Sequence, residues 1–429
     1  MKKPSPFRTV PRKAALAVLT DVLSNERPLD EAVESRAQTL SPSDRAWLTD
    51  TTSGVLRNLR RLDLAIDAYA LKKKPTGKLR KMLQIGAYQL IHQDRVFPAT
   101  VVSETVDFAR QEEGEATAKF ANALLRRIAE TSAEWRALPP PDAKAPVDHK
   151  ASWASLPDWW WKRWERDLGF ERATRISEKA SERPELWFRF SGKTVPDSGA
   201  FSLGPVPGSA RTKDSLASGD VKALPGFQKG EWIVQDLASQ ILVERFAETL
   251  RAERGAAATL LDRCAAPGGK AIAMAWKGFN VSATDSDRSR LAIVEENIKR
   301  TGVEIEVLPE ADGIWNKTYD AIWIDAPCSG SGILRRHPDV RWIRREKDVE
   351  GLQKIQRGLI EEAFQKLPPG GLLFFSVCSL FRDEGRAHFE ALGWTKSDSP
   401  AAELLWETTL TPDAEPSTDG FFGAALRKK

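Results

Sequence analysis

From Trp232 to the C-terminus, short apolar runs alternate with longer helical stretches, and few folds accommodate that rhythm. The runs are Thr259–Asp262, Val281–Thr284, Glu304–Leu308, Ala321–Asp325 and Leu372–Val377, with Ser286–Arg300 and Val349–Lys366 the clearest helices between them. Such alternation predicts a mostly parallel, doubly wound α/β sheet. In sheets of this kind ligands bind beyond the carboxyl ends of the strands. The residues just after each run are therefore the ones to inspect for function.

The first run leads into Asp262–Lys270 (DRCAAPGGK), whose paired glycines let the backbone approach a ligand closely before a helix begins. Neither the phosphate-loop spacing nor the dinucleotide fingerprint is present, so ATP and NAD are disfavoured. The second run ends at Asp285, where a doubly wound fold usually grips the two hydroxyls of a ribose. A helix cap would explain that aspartate by itself but not the loop before it. Glycine turn, ribose acid and missing phosphate loop together point to S-adenosylmethionine. No metal is expected.

All three cysteines of the chain follow predicted strands directly: Cys264 in the glycine loop, Cys328 in Asp325–Gly332 (DAPCSGSG) and Cys378 in Ser376–Ser379 (SVCS). A free cysteine is ordinarily an inert buried residue, but chance is a poor account of Cys328 and Cys378 at two strand ends. Two thiols beside a methyl donor suit one reaction. Carbon 5 of a pyrimidine is a weak nucleophile until a thiolate adds to carbon 6 and turns the ring into an enamine. The carbon 5 proton must then leave and the thiolate be expelled, which a second thiol can assist. The base must be unstacked to reach the sulfur, so a single-stranded or looped nucleic acid is the expected substrate.

Ahead of this region, residues 8–131 show apolar spacing of helical period, as at Leu56, Leu59, Leu62, Ile66 and Tyr69, with no strand alternation, and predict an all-α domain. Ser41 or Ser43 is placed to cap the helix running toward Leu56. The chain's net charge is only +4, yet residues 51–100 carry ten basic and three acidic side chains. Lys72, Lys73, Lys74, Lys78, Arg80 and Lys81 form a candidate footprint for a phosphate backbone; the alternative is a solvated helix face. The proline- and charge-rich stretch 138–150 reads as a linker. Residues 151–230 then read as a small α/β domain opened by a tryptophan-rich helix. Trp160, Trp161 and Trp164 there either pack or stack on unpaired bases, packing being the commoner use.

At 429 residues there is room for about three domains. Apolar stretches such as Ala14–Leu19 fall far short of the roughly 18 residues a membrane span needs. Pro4, Pro11, Arg12 and Asp21 interrupt any secretion signal. Three scattered cysteines make no disulfide framework, so a reducing cytoplasm is expected, with no membrane partner.

The motifs CAAPGGK, DAPCSGSG, RRHPDVRW (Arg335–Trp342), SVCS and TDGFF (Thr418–Phe422), with Val234–Gln240 (VQDLASQ) before them, resemble the RsmB (Sun/Fmu) family of 16S rRNA cytosine-5 methyltransferases. The resemblance spans the chain. It implies a NusB-like RNA-binding domain over 1–137, the linker 138–150, a small RRM-like middle domain over 151–230 and a Rossmann-like methyltransferase domain over 231–429. It further implies Cys378 as nucleophile, Cys328 in proton removal or release, and an S-adenosylmethionine site lined by Cys264, Ala265, Ala266, Pro267, Gly268, Gly269, Lys270, Asp285, Asp312 and Asp325. Asp325 is also implied to touch the pyrimidine. The partner implied is RNA, 16S rRNA in particular, and a monomer is expected. This chain departs from the family pattern at Val377, Ala271 and Phe381–Gly385 (FRDEG), the last standing for a more acidic Pro-Glu-Glu-Asn.

Overall fold

The computed structural model describes residues 9–94, 96–192, 195, 199–212, 221–309 and 313–429. They form two compact units. One is helical and runs to Arg183, with Leu334–Arg345 added from late in the chain; the other holds the described residues of Pro184–Ile333 and Glu346–Lys429.

The helical unit contains Thr9–Asn25, Leu29–Ala37, Pro42–Tyr69, Gly77–His92, Pro98–Glu113 and Glu115–Glu130, as the 3.6-residue period predicts. Ser41 is the cap of the third helix, its hydroxyl accepting from Asp44 N–H at 3.2 Å, with Pro42 at the first helical position. That helix kinks at Asn58, whose side-chain amide donates to the Gly54 carbonyl at 3.1 Å. Gly54 has a packing reason: a Cβ there would lie 1.9 Å from the Tyr88 ring. Val18, Leu48, Val55, Leu62, Leu83, Leu125 and Ile128 are fully or almost fully buried in this core. Each such side chain contributes roughly 1.5–3 kcal/mol relative to exposure.

The tryptophan-rich helix Asp158–Leu168 also belongs to this unit. Trp160, Trp161 and Trp164 are at most 1% exposed, so they pack and are not presented to bases. The late segment Leu334–Arg345 carries the RRHPDVRW motif into the same interior. Arg341 is wholly buried and its guanidinium donates to four carbonyls, those of Arg57, Ser155, Ala180 and Leu334, at 3.1–3.2 Å. Arg57 Nε donates to the Arg335 carbonyl at 2.7 Å, and Trp342 Nε1 to that of Leu56 at 2.8 Å. Burial, together with the charges of Arg57 and Arg61, pushes Arg341 down to about 9.

The second unit opens with an antiparallel sheet of β1 (Trp187–Phe190), β2 (Phe201–Leu203), β3 (Ser209–Thr212) and β4 (Trp232–Val234), in the order β2–β3–β1–β4. Phe188, Phe190, Phe201 and Trp232 form its apolar filling. The main sheet holds β5 (Thr259–Asp262), β6 (Asn280–Ala283), β7 (Glu306–Val307), β8 (Ala321–Asp325), β9 (Leu372–Val377), β10 (Ala402–Leu410) and β11 (Phe421–Lys428). Its order is β10–β11–β9–β8–β5–β6–β7, with β5 to β9 parallel and the last two antiparallel. The five expected strands are present, within two residues of their expected ends. The C-terminal hairpin was not anticipated, and TDGFF runs into its second strand. Strand order reverses between β5 and β8, which puts the crevice for a ligand over their carboxyl ends.

Candidate active site

The turn after β5 is held in shape by its backbone. Ala265 N–H donates to the Thr284 carbonyl at 2.9 Å, and Gly268 adopts φ +101°, a conformation that disfavours any side chain. Helix Gly269–Ala275 follows, and Gln235 Nε2 donates to the Gly269 carbonyl at 3.0 Å. Asp285, 4% exposed, turns back onto the same loop and accepts from Ala266 N–H at 3.2 Å. The helix cap is its neighbour Asp287, which accepts from Ser289 N–H at 2.8 Å. The cap explanation therefore belongs to Asp287, leaving Asp285 to the loop.

Asp325, at the end of β8, is gripped on both oxygens. Lys270 Nζ donates to Oδ2 at 2.6 Å, and Ser376 Oγ donates to Oδ1 at 2.6 Å while accepting from Trp323 Nε1 at 2.9 Å. Burial alone would lower Lys270, but the charges of Asp325 and Asp262 outweigh it and hold its ammonium above the ordinary value. Asp262 is 1% exposed and its Oδ1 has no hydrogen-bond partner. Burial, and next the Asp325 charge, push it up to about 7.

The two cysteines expected to act together do meet: Cys328 Sγ and Cys378 Sγ are 3.2 Å apart. Cys328 is pushed well up, first by its hydrogen bond to Cys378 and then by burial, so it keeps its proton near neutrality. Cys264 is pushed up too, mainly by burial, which disfavours its thiolate. Asp312 lies outside the described residues.

Of the basic run, Lys74 pairs with Asp67 at 3.0 Å, Lys78 with Glu112, and Arg80 with Asp67 at 2.6 Å. Lys72 and Lys73 are exposed and Lys81 half-buried. Among the described residues no cluster of three or more histidine, cysteine or acidic groups suits a metal ion. None of their helices is long and apolar enough to cross a membrane.

Sequence reasoning left Gln235, Asp262, Ser376 and Glu384 without a role. Glu384 sits in the FRDEG segment that looked like a departure from the family pattern. Its side chain bonds to the serines beside both cysteines. Only the strand-end position of Asp262 and Ser376 could have pointed to them.

Fold and site together define an RNA methyltransferase: a Rossmann-like sheet with its glycine loop at the switch point, joined to a NusB-type helical domain. The family model described as 16S rRNA methyltransferase RsmB/F matches residues 249–427, and that of the NusB family residues 9–130. Ribosomal RNA small subunit methyltransferase B of Vibrio cholerae is 31% identical over 97% of this chain and 97% of its own. The protein of that name from Shewanella oneidensis is also 31% identical, over 97% of this chain and 99% of its own. This chain belongs to the RsmB/F family. The crystal structure of PH0851 shares the fold at a TM-score of 0.70 and 22% identity, covering 99% of this chain and 100% of that one. NSun6 from Pyrococcus horikoshii, solved with SFG, covers 63% of this chain and 98% of its own at a TM-score of 0.53 and 19% identity.

Proposed function

We propose that the protein methylates carbon 5 of a cytosine in RNA, 16S rRNA being the favoured substrate, through a covalent adduct between Cys378 and carbon 6. The observation that carries this reading is the 3.2 Å separation of the two sulfurs at adjacent strand ends.

The residues of the loop fit S-adenosylmethionine. Asp262, Asp285 and Asp325 stand close enough at neighbouring strand ends for the charges of the last two to raise Asp262, and the adjoining Lys270 is already neutralised by Asp325. Such a surface repels polyphosphates and tolerates a net cationic ligand. The unpartnered buried acceptors Asp262 Oδ1 and Gln235 Oε1 are suited to an ammonium or ribose hydroxyls. When bound, the cofactor supplies an electrophilic methyl group. Gly268 and Gly269 admit it to the backbone, and Asp285 is the ribose acid.

In the reaction, the Cys378 thiol gives up its proton to solvent and its sulfur adds to carbon 6; the displaced electrons are taken up on the ring with a proton at N3, leaving an enamine nucleophilic at carbon 5. Asp325, anchored by Lys270 and Ser376, faces the pyrimidine as a fixed acceptor for its exocyclic amino group. After carbon 5 is methylated, its proton passes to solvent water, since Cys328 keeps its own. The electrons of that C–H bond restore the ring double bond and expel Cys378. Cys328 assists release: it holds its proton and aims it at Cys378 Sγ, where it stabilises the departing thiolate. The same protonated state disfavours Cys328 as the attacking sulfur, the arrangement of DNA cytosine methylation.

The domain reading follows from this. The helical domain over 1–137 binds RNA for the catalytic domain over 231–429, with the linker 138–150 between, while the tryptophan-rich helix that opens the expected 151–230 domain belongs with the helical unit. The protein works as a cytoplasmic monomer. RNA containing 5-azacytosine tests the assignment. Wild type and Cys328→Ala are expected to form the covalent adduct and Cys378→Ala to lose it; the opposite pattern overturns the reading.

A further inference from the structure

The residue after each active cysteine is a serine, and one carboxylate holds both. Glu384 is completely buried. It accepts from Ser329 N–H at 2.7 Å, from the Ser329 hydroxyl, from the Ser379 hydroxyl at 2.6 Å, and from Gln356 Nε2 at 3.2 Å. Gln356 Nε2 also donates to the carbonyl of Pro327, the residue before Cys328, at 2.8 Å. Its own Oε1 accepts from His388 Nε2 at 2.8 Å. His388 is pushed down to about 4 by burial, so the neutral ring is available as that donor. Around the carboxylate, Ser331 Oγ lies 2.8 Å from Ser379 Oγ and accepts from Leu380 N–H at 2.8 Å, and Gly332 N–H donates to the Cys378 carbonyl at 3.0 Å.

A carboxylate removed from water costs several kcal/mol unless its lone pairs are filled. Glu384 therefore fixes where its donors sit, and those donors are the chain neighbours of Cys328 and Cys378. We propose that Glu384 is a positioning residue that sets the spacing of the two thiols. The inference rests on the two-cysteine reading above for its catalytic consequence, but the spacing itself is testable without RNA. No cysteine-level motif predicts this, because the carboxylate touches neither sulfur and works through Ser329 and Ser379.

The substitution Glu384→Gln keeps the volume and replaces half of the acceptor capacity with N–H donors. The first readout is bridging by phenylarsine oxide in the full-length protein. The arsenic forms one bond to each sulfur, and its oxygen leaves as water with the two thiol protons. Bridging requires both sulfurs in reach, and we expect it to slow at least tenfold. Alkylation of Cys378 by iodoacetamide, which needs one sulfur, is expected to stay within twofold. The second readout is the ratio of covalent adduct to released methylated RNA, expected to rise at least tenfold as Cys328 loses its aim. Ser379→Ala, which removes one donor, is expected to move both readouts in the same direction and carries the test if Glu384→Gln does not fold. Wild-type bridging and an unchanged ratio, even with a lower melting temperature, would make Glu384 merely structural and overturn the proposal. Absence of any adduct in wild type on 5-azacytosine RNA would instead overturn the two-cysteine reaction, while the arsenical rates still decide the spacing.

Discussion

Cys328 Sγ lies 3.2 Å from Cys378 Sγ, and this contact is the largest reason the Cys328 thiol resists ionisation. Removing the partner sulfur reverses that cause. In Cys378→Ala the Cys328 thiol is expected to ionise at lower pH, although burial still holds it above the ordinary value. Its alkylation by iodoacetamide at pH 8 should therefore speed up severalfold over wild type. Peptide mass spectrometry measures the rate, and an unchanged rate would mean that burial alone sets the proton affinity.

Lys270 and Ser376 grip opposite oxygens of Asp325. Lys270→Met leaves the half-buried Asp325 carboxylate without its charged partner, and losing such a charge-assisted hydrogen bond costs about 1.5–3 kcal/mol. We expect a lower melting temperature, weakened S-adenosylmethionine binding by calorimetry and at least a hundredfold loss of turnover. Ser376→Ala is milder but leaves the buried Trp323 indole N–H without an acceptor, at about 1–3 kcal/mol. A Lys270→Met protein with wild-type turnover would remove Asp325 from the pyrimidine-binding role.

Stability is expected to respond to pH with two opposed signs in the second unit. Asp262 is raised to about 7 in the fold, so between about pH 4 and 7 the native state holds a proton that the unfolded chain has lost. That contribution is present at low pH and lost as pH rises through 7. His388, lowered to about 4, works the other way: the unfolded chain takes a proton near pH 6.5 that the native state refuses, so stability falls as pH drops from about 6.5 to 4. Urea midpoints check both. Asp262→Asn should gain on wild type as pH rises from 5 to 8, and His388→Gln should gain on wild type as pH falls from 7 to 4.5.

Neutralising Lys72, Lys73 and Lys74 together is expected to weaken RNA binding and flatten its dependence on salt, with cofactor affinity unchanged. Lys72 and Lys73 should carry most of the change, since Lys74 already faces Asp67. Filter binding across a salt series reads the slope. An unaltered slope would make this run merely a solvated stretch of the loop between Tyr69 and Gly77.

The main sheet was legible because β5, β6, β8 and β9 are almost wholly buried and read as short apolar runs, whereas β10 was not. Its residues Leu404–Trp406 are only half-buried and mixed with Glu403 and Glu407, so the pattern lacks both a clean alternation and an apolar run. The cysteines were legible at the ends of β8 and β9 because a rim position can be read from the strand before it. Glu384 was not, since its partners lie 55 and 5 residues away and no local period connects them. The tryptophan stripe was visible as a stripe, but only the packed helix shows that it faces inward.

The least legible feature is the segment Leu334–Arg345, because nothing local in RRHPDVRW says that it lies in the helical unit. Its anchor is unusual: among the described residues the Arg341 guanidinium is held by four main-chain carbonyls and bonds to no carboxylate. A planar fork of five N–H groups can serve four acceptors around its rim, whereas an ammonium has three donors and no such spread. Arg341→Lys should therefore leave at least one buried carbonyl unserved, at about 1–3 kcal/mol each. It should also bring a more strongly hydrated charge into the core. The expected result is a clear drop in the melting temperature of the helical unit, larger than that of Arg345→Lys at the exposed end of the same segment. Hydrogen exchange at Leu56–Leu59 and Ala154–Leu156 should quicken with it. If Arg341→Lys melts with wild type and leaves exchange there unchanged, the segment is secured by Trp342 and Leu334 and not by the guanidinium.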